Sequence, residues 1–496
     1  MTETKLSNLR NTIDFLKEQD EIYVVKGEVD PIYEVSGICK AWEGGPVLLF
    51  ENVKGYPNTR IITNIFSRRD LLARIFDVSD HKKLKFKALE ALKNPIPPKI
   101  VEDAPCQEVV ITKDIDVLSA IPIIKHTEKD AGRILGGGNT FISGPGTATH
   151  IGFNRMHFRG KDWSTLSINL GSHVEYHVLE CRKKKGKLPL SINIGTSPAV
   201  LVVAGAGFLT TLPVESDELA IAGGIQGFPV EICKAKTVDA YSIACSEWVI
   251  EGYIDTSQKV WENEESEKTG DDKAPFFPEY AGYMGQARQT YKFQVTAITH
   301  RKDRPILYAP LAHSFSGANL VAILDEAALF EAADRVCHGL VKDVNILKGF
   351  NNGGIVVQVQ KRRKRDEGYQ RNIIQALFAT LYNLQIVVVV DEDIDIYNAE
   401  DVWWAVTTRV DPVRDILVYS SLRGADNFPM EKLSPQAMGT AAKLGIDATV
   451  PYPLKWKFEL GKHPEVDLSR WFTKEEISRG RNLQDEYAKI LAKRRH

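Results

Sequence analysis

Four short segments gather the side chains of this sequence most capable of chemistry. Thr149 to Arg155 reads T-H-I-G-F-N-R, and Ser172-His173 follows it. Further on come S-D-E-L-A-I-A-G, ending at Gly223, and P-F-F-P-E-Y-A-G-Y around Glu279. His150, His173 and Glu218 have the donor types that hold a divalent cation, although no local ligand motif joins them. Their plain alternative is histidines of the surface or of a satisfied core. Arg155 stands among apolar neighbours in G-F-N-R-M-H-F, and a buried guanidinium needs an anion. That anion is either a structural carboxylate or a bound carboxylate or phosphate, which suits its planar fork of donors. Glu279 lies between Phe276, Phe277, Tyr280 and Tyr283. Such surroundings desolvate a carboxyl and favour its neutral, proton-donating form; a rim glutamate facing water is the alternative.

A rival metal pair exists in H-V-E-Y-H, where His173 and His177 stand at i and i+4 on one helix face. Glu175 is the second residue after His173, whereas the metalloprotease pattern needs its glutamate at the first. A zinc-dependent hydrolase is therefore a competing but incomplete reading. Gly136-Gly137-Gly138 and G-A-G-F-L-T from Gly205 complete neither G-x-G-x-x-G nor a P-loop, so a Rossmann or P-loop site is not supported. The runs K-R-R-K-R, Lys361 to Arg365, and R-K-K-K-G-K from Arg182 read as solvated faces. Their sharper alternative is a surface for a nucleotide-bearing substrate such as a coenzyme A thioester.

These groups need a scaffold of several units, since 496 residues exceed one ordinary core. A hydrophobic content of 43% and a charged content of 26% are those of a globular protein. A net charge of −2 gives no general attraction to nucleic acid or to an anionic membrane. The six cysteines are scattered without a C-x-x-C pair, as expected of reduced thiols. The polar N-terminus lacks a signal-peptide core, and apolar runs such as Ile386 to Val390 are strand length. The expected location is the cytoplasm.

Leu6 to Lys17 spaces Leu9, Ile13 and Leu16 for one helical face, and the run from Pro46 reads as a strand. N-P-I-P-P-K, Asn94 to Lys99, marks a boundary. From about Val101 to Arg304 the chain is rich in strands and glycine. Leu190 to Gly195, Ala199 to Gly207 and Phe293 to His300 read as strands, with helices only near Val174 to Lys184 and Glu218 to Gly223. Glu262 to Lys273 reads as a solvated loop. Beyond Ala322, helix and strand alternate as in βαβ units, predicting a parallel or mixed sheet. Thr473 and Glu476 form a capping-box pattern ahead of a terminal helix with the stripe Leu483, Tyr487 and Ile490.

Taken in order, these pieces resemble the UbiD family of decarboxylases, which use prenylated flavin mononucleotide. The resemblance rests on A-P-C-Q-E from Ala104, D-A-G from Asp130, H-I-G-F-N-R from His150 and S-H at Ser172-His173. It continues through P-L-S-I-N-I-G-T-S-P-A, S-D-E-L-A-I-A-G and S-E-W-V-I-E-G-Y from Ser246. Towards the C-terminus come V-V-D-E-D-I-D-I from Val389, W-A-V-T-T-R-V-D-P from Trp404 and A-K-L-G-I-D-A-T from Ala442. The aromatic-acid branch is the nearest in character.

The resemblance implies an α/β (α+β) multidomain fold. It comprises an N-terminal α/β domain over 1–115 and a split-β-barrel-like prenylated-FMN domain over 116–310. A linker helix region over 311–335, a C-terminal α/β oligomerisation domain over 336–465 and a terminal helix over 466–496 follow. It implies a reversible aromatic-acid decarboxylase in which an electron-poor iminium cofactor takes the electrons left as carbon dioxide departs. His150, Ile151, Arg155, Ser172, His173, Glu218 and Lys443 would bind the cofactor. His150, His173 and Glu218 would hold manganese or magnesium against its phosphate, with potassium nearby. Family members often carry Asn at the position of His150, which leaves the metal preference open. Arg155 would hold the substrate carboxylate, Glu279 would donate the proton, and His313 would approach the ring. Many members carry a second acidic residue shortly before the one matched to Glu279. Here Ala274, Pro275 and Phe276 stand there, so the arginine–glutamate–glutamate network reads as incomplete. A flavin prenyltransferase would supply the cofactor, and a homo-oligomer, dimer or hexamer, is expected. An aryl-coenzyme A decarboxylase and a non-catalytic carboxylase-complex subunit remain alternatives.

Overall fold

The structure, a computed structural model, describes residues 5–143, 148–169, 171–184, 186–311, 313–347, 353–424, 440–461 and 463–492. It divides into two compact units, Met1–Thr449 and Val450–His496.

The first unit begins with the expected amphipathic helix, Leu9–Glu18, which Asn8 caps and which buries Leu9, Ile13 and Leu16. A four-stranded sheet follows, with Ile22–Val25 parallel to Val47–Phe50, and Arg60–Thr63 antiparallel to the latter. Its fourth strand, Ile306–Tyr308, returns from far along the chain to pair parallel with Arg60–Thr63.

The middle of the chain forms a nine-stranded antiparallel sheet among the described residues. Its spine is the long pair Trp248–Trp261 and Gln289–His300, coiled by irregularities at Glu251/Gly252 and Asp255/Lys259. Lys187–Ile194, Gly138–Ile142 and His150–Phe153 extend it on one side. Trp163–Leu166, Met156–Phe158 and Ile134–Leu135 extend it on the other. Strands His150–Phe153 and Met156–Phe158 therefore lie towards opposite ends of the hydrogen-bonded order, yet only Asn154 and Arg155 separate them. Three peptide links span at most about 11 Å, so the sheet must curl until its ends nearly meet. That is the split-barrel form, and Arg155 sits on the seam.

Ala199 to Gly207, read from sequence as a strand, is instead largely the helix Pro198–Gly205. Every residue from Pro198 to Ala204 is buried, so no amphipathic period is visible to separate helix from strand. The overlooked signal was Ser197-Pro198, a cap residue followed by proline at the first helical position.

The Asn94 to Lys99 stretch is a strap rather than a free linker. The Ile96 amide donates to the Ala220 carbonyl at 2.8 Å, in the helix Glu218–Gln226. A Cβ on Gly223 would stand 2.3 Å from the Ile96 carbonyl oxygen. Gly223→Ala must push this backbone away, and we expect a loss of about 1–3 kcal/mol. Thermal melting beside the parent protein checks it; an unchanged melting temperature would mean that the strap yields freely.

The long helix Phe315–Val336, capped by Ser314, leads to the C-terminal sheet. That sheet is mixed, as expected. Gly354–Val359, Ile386–Asp391 and Thr440–Ala448 run parallel, with Val341–Asn345 and Ile416–Arg423 antiparallel on the outside. Helices Tyr369–Thr380 and Ala399–Arg409 occupy the connections. Lys361 departs from the solvated-face reading: it is buried and donates to Thr449 Oγ1 at 2.9 Å, while Arg362 to Arg365 are exposed.

In the second unit, the helix Lys474–Ala492 starts at the expected capping box. The Thr473 amide donates to Glu476 Oε2 at 2.8 Å, and the Glu476 amide donates to Thr473 Oγ1 at 3.2 Å. Leu483 and Tyr487 are exposed, and the side chain of Ile490 lies outside the described residues. No described helix is long and apolar enough to cross a membrane.

Candidate active site

Two local devices bring His150, His173 and Glu218 together. His173 is the first residue of the helix His173–Lys183, whose N-terminus Ser172 caps by accepting from the Glu175 amide. Glu218 opens the helix Glu218–Gln226, capped by Asp217. Thr149 fastens that second helix to the strand carrying His150. Its carbonyl accepts from the Glu218 amide at 2.9 Å, its hydroxyl accepts from the Leu219 amide at 3.0 Å, and that hydroxyl also bonds Asp217.

One ligand atom from each of His150, His173 and Glu218 lies within 4.8 Å of the others, and all three residues are buried. Glu218 Oε1 is 2.6 Å from His173 Nδ1 and 3.6 Å from His150 Nδ1, while Oε2 accepts from the Ile151 amide at 2.6 Å. Burial alone would raise the Glu218 carboxyl, but hydrogen bonding to the two imidazoles and the Ile151 amide holds it below its usual range. The bond to Glu218 in turn raises His173. His177, one turn along the helix, does not join this donor set, and burial pushes it down to about 4. The His173/His177 zinc pair is thus not formed: His173 Nε2 bonds the Leu212 carbonyl instead. His177 Nε2 is covered and lacks a hydrogen-bond partner, and His150 Nδ1 is covered with Glu218 Oε1 as a long contact at 3.6 Å.

Arg155 is held by two carboxylates. Its Nε and Nη2 donate to Glu262 Oε1 and Oε2 at 3.0 and 2.9 Å, while Nη1 donates to Glu279 Oε1. Desolvation opposes its charge, but the two carboxylates more than compensate and keep the guanidinium ionised. The Phe276 ring lies 4.8 Å from the guanidinium carbon.

Glu262 corrects two sequence expectations. It is fully buried rather than the start of a solvated loop, and it supplies the second acid that seemed missing before Glu279. The following helix, Glu264–Thr269, carries the solvated charge. Glu262 also accepts from the Arg288 amide at 3.0 Å, and its carbonyl bonds His157 Nδ1 at 2.7 Å. Glu279 occupies the turn joining strands Pro275–Pro278 and Met284–Gln286. Arg155 is its closest polar partner; aromatic enclosure is incomplete, since Tyr283 is 61% exposed. Gly285 is required opposite it, because a Cβ there would come within 2.4 Å of Glu279 Oε1.

Both clusters border one cavity of about 380 Å³, a size suited to a cofactor and small substrate. Ile151 and Ser172 line it, together with Arg288, Tyr382, Asn383 and Arg423, which sequence reasoning did not single out. His313 is not a lining residue, but its ring packs against Gly282 and its Nδ1 lies 3.2 Å from the Tyr280 carbonyl, on the turn that carries Glu279. Lys443 is likewise not brought to the cavity. It is buried on the strand Thr440–Ala448, with its ammonium donating to the Tyr382 and Leu384 carbonyls at 2.5 and 2.6 Å.

Three domain models named for 3-octaprenyl-4-hydroxybenzoate carboxy-lyase match the chain: the N-terminal domain at 13–87, the Rift-related domain at 99–313 and the C-terminal domain at 318–448. Gallate decarboxylase of Lactiplantibacillus plantarum is 31% identical over 92% of this chain and 97% of its own length. The chain belongs to the UbiD family. UbiD-class structures share its fold. HmfF from Pelotomaculum thermopropionicum with FMN aligns at a TM-score of 0.82 and 30% identity, over 94% of this chain and 100% of that one. An evolved dimeric form of HmfF was solved with prFMN. The apo 3,4-dihydroxybenzoic acid decarboxylase from Enterobacter cloacae aligns at 0.84 and 28% identity, over 95% of this chain and 99% of that one. With all three UbiD domains in order, the protein is a carboxy-lyase.

Proposed function

We propose that this UbiD enzyme reversibly removes carbon dioxide from an aromatic carboxylic acid, with prenylated FMN bound in the cavity. The observation that carries this reading is Arg155, a buried guanidinium shared by two carboxylates beside a cavity that also borders a cation-binding donor set. The printed activities of the gallate and dihydroxybenzoate enzymes support the substrate class, and the HmfF complexes support the cofactor. When bound, prenylated FMN supplies the electron sink at the ring carbon that loses the carboxyl. The buried donor set, with His150 Nδ1 only in long contact with Glu218 Oε1 at 3.6 Å, fits a cation, and His150, His173 and Glu218 would hold a divalent ion there.

Charge dictates what the chain's own residues do. One guanidinium faces Glu262 and Glu279, so a substrate carboxylate adds a third acid to one cation. Crowded like charges favour uptake of a proton. Glu262 is fully buried and locked by two Arg155 donors and the Arg288 amide, so Glu279 is the carboxyl that takes it. Arg155 Nη1 then orients the substrate carboxylate. As carbon dioxide leaves, Glu279 gives its proton to the ring carbon and returns to Arg155 as a carboxylate. One proton replaces one carboxyl, and high bicarbonate drives the reverse direction.

Binding of an aromatic acid should therefore take up about one proton. Calorimetry in buffers of different ionisation enthalpy measures it, and Glu279→Gln should abolish it. The function itself is tested by co-expression with a flavin prenyltransferase and incubation with gallate, 3,4-dihydroxybenzoate and furoate in labelled bicarbonate. Label should enter at least one acid, and only with flavin-loaded protein; exchange by flavin-free protein would refute the assignment.

A further inference from the structure

Arg288 lines the cavity, and the proposed reaction gives its charge no work. With Ala287 it joins the strands Met284–Gln286 and Gln289–His300, and Glu262 fixes its backbone at both polar groups. The Arg288 amide donates to Glu262 Oε2 at 3.0 Å, and its carbonyl accepts from the Glu262 amide at 3.0 Å. That same Oε2 accepts from Arg155 Nη2 at 2.9 Å, so Arg288 starts beside the clamp that holds Arg155. Its half-buried side chain behaves differently: the guanidinium makes no hydrogen bond, ion pair or ring contact with the described residues. The acids bordering the cavity are already engaged, Glu279 by Arg155 and Glu218 by His173 and the Ile151 amide. A guanidinium at a cavity wall, with no acid of its own chain to answer it, calls for a ligand that brings one.

We propose that Arg288 is a specificity-determining residue, which reads a second acidic oxygen on the aromatic ring, a carboxylate or a phenolate. The inference rests on the decarboxylase reading and deepens it by naming the substrate class: an aromatic acid with a second acidic group. In that reading the carboxylate to be lost lies on Arg155 Nη1, and the cofactor phosphate lies with the cation held by His150, His173 and Glu218. Neither leaves an anion for Arg288. A second acidic group on the same ring supplies it, because Arg288 and Arg155 share Glu262 and so stand at one end of the cavity.

The planar fork of a guanidinium pairs with both oxygens of a carboxylate, and beside a phenol oxygen it favours the ionised form. A charge-assisted contact of this kind contributes about 10–100-fold to affinity. A plain monoacid offers Arg288 nothing, so selectivity arises from the missing partner rather than from shape. No bond forms or breaks at Arg288, and the proton that replaces the carboxyl still comes from Glu279.

The test uses the flavin-loaded full chain carrying Glu279→Gln, which stops turnover while binding is measured by calorimetry. Benzoate, 3,4-dihydroxybenzoate, isophthalate and terephthalate are the probes. At least one of the last three should bind at least about 10-fold more tightly than benzoate, and which of them does so tells phenolate from carboxylate. Arg288→Met in the same background should weaken that probe by about 10–100-fold while changing benzoate less than about threefold. Arg288→Lys, which keeps the charge but not the fork, should recover part of the loss. Unchanged benzoate affinity and parental flavin content guard against misfolding, since a damaged site would lose both. An equal preference for the second acidic group in the parent and Arg288→Met would overturn the inference. Loss of flavin from Arg288→Met would also overturn it, by giving the guanidinium to the cofactor. If no probe binds at all, the decarboxylase reading itself falls, and the inference with it.

Discussion

Glu279→Gln will lower turnover by about 10²–10⁴-fold, the usual contribution of a positioned acid, while the variant matches the parent in flavin and metal content. The amide oxygen can still accept from Arg155 Nη1, so the turn between Pro275–Pro278 and Met284–Gln286 should hold its shape. What is lost is the proton. Substrate binding should survive, because Arg155 remains fixed by Glu262. The expected signature is a collapse in kcat with a much smaller change in KM. Flavin absorbance and metal content of the purified variant are the controls. A variant with parental turnover would take the donor role from Glu279.

The second large effect falls on Glu262, which touches neither substrate nor cofactor in this account and acts through Arg155. Glu262→Gln leaves a buried guanidinium with Glu279 as its sole carboxylate, and opposes an amide N–H₂ to donors on Arg155 and Arg288. Breaking a buried, hydrogen-bonded pair costs about 3–5 kcal/mol, so the variant should melt well below the parent. Its surviving folded fraction should turn over at least about 100-fold more slowly. The reason is electrostatic: Glu279 then becomes the only counter-charge to Arg155 and resists protonation when an acid binds. Loss of the proton uptake seen in the parent would separate this role from a merely structural one. A double variant, Arg155→Met with Glu262→Gln, should be less destabilised than the sum of the single changes. Simple additivity would mean that the pair is not coupled.

How far the amino-acid order revealed these arrangements depended on whether a signal was local. The capping box at Thr473 and Glu476 was readable because both partners lie within one turn. The alternation after Ala322 likewise foretold the mixed sheet, since βαβ grammar is written in consecutive segments. The helix Pro198–Gly205 was hidden by being buried on every side, which erases the period that distinguishes helix from strand. Glu262 was hidden by its company. It opens a run of acidic residues whose other members are largely solvated, yet it directly follows the strand Trp248–Trp261 and pairs with Arg155. No residue type marks that difference, because it depends on the curl of the sheet. His150, His173 and Glu218 were recognisable as chemistry-bearing residues, but their meeting depends on Thr149 stitching helix to strand across 68 residues. Lys443 carried the expected charge, while its strand register directs that charge to carbonyls beside the cavity.

The central claim is that Arg155, braced by Glu262, presents an aromatic carboxylate to Glu279 beside a flavin clamped by a buried cation. A crystal structure of the flavin-loaded Glu279→Gln enzyme with a bound aromatic acid tests it most directly. The account predicts the carboxylate within hydrogen-bond distance of Arg155 Nη1, the ring carbon within reach of residue 279, and an ion on His150, His173 and Glu218. A carboxylate bound away from Arg155, or a flavin seated outside the cavity these residues line, would contradict it.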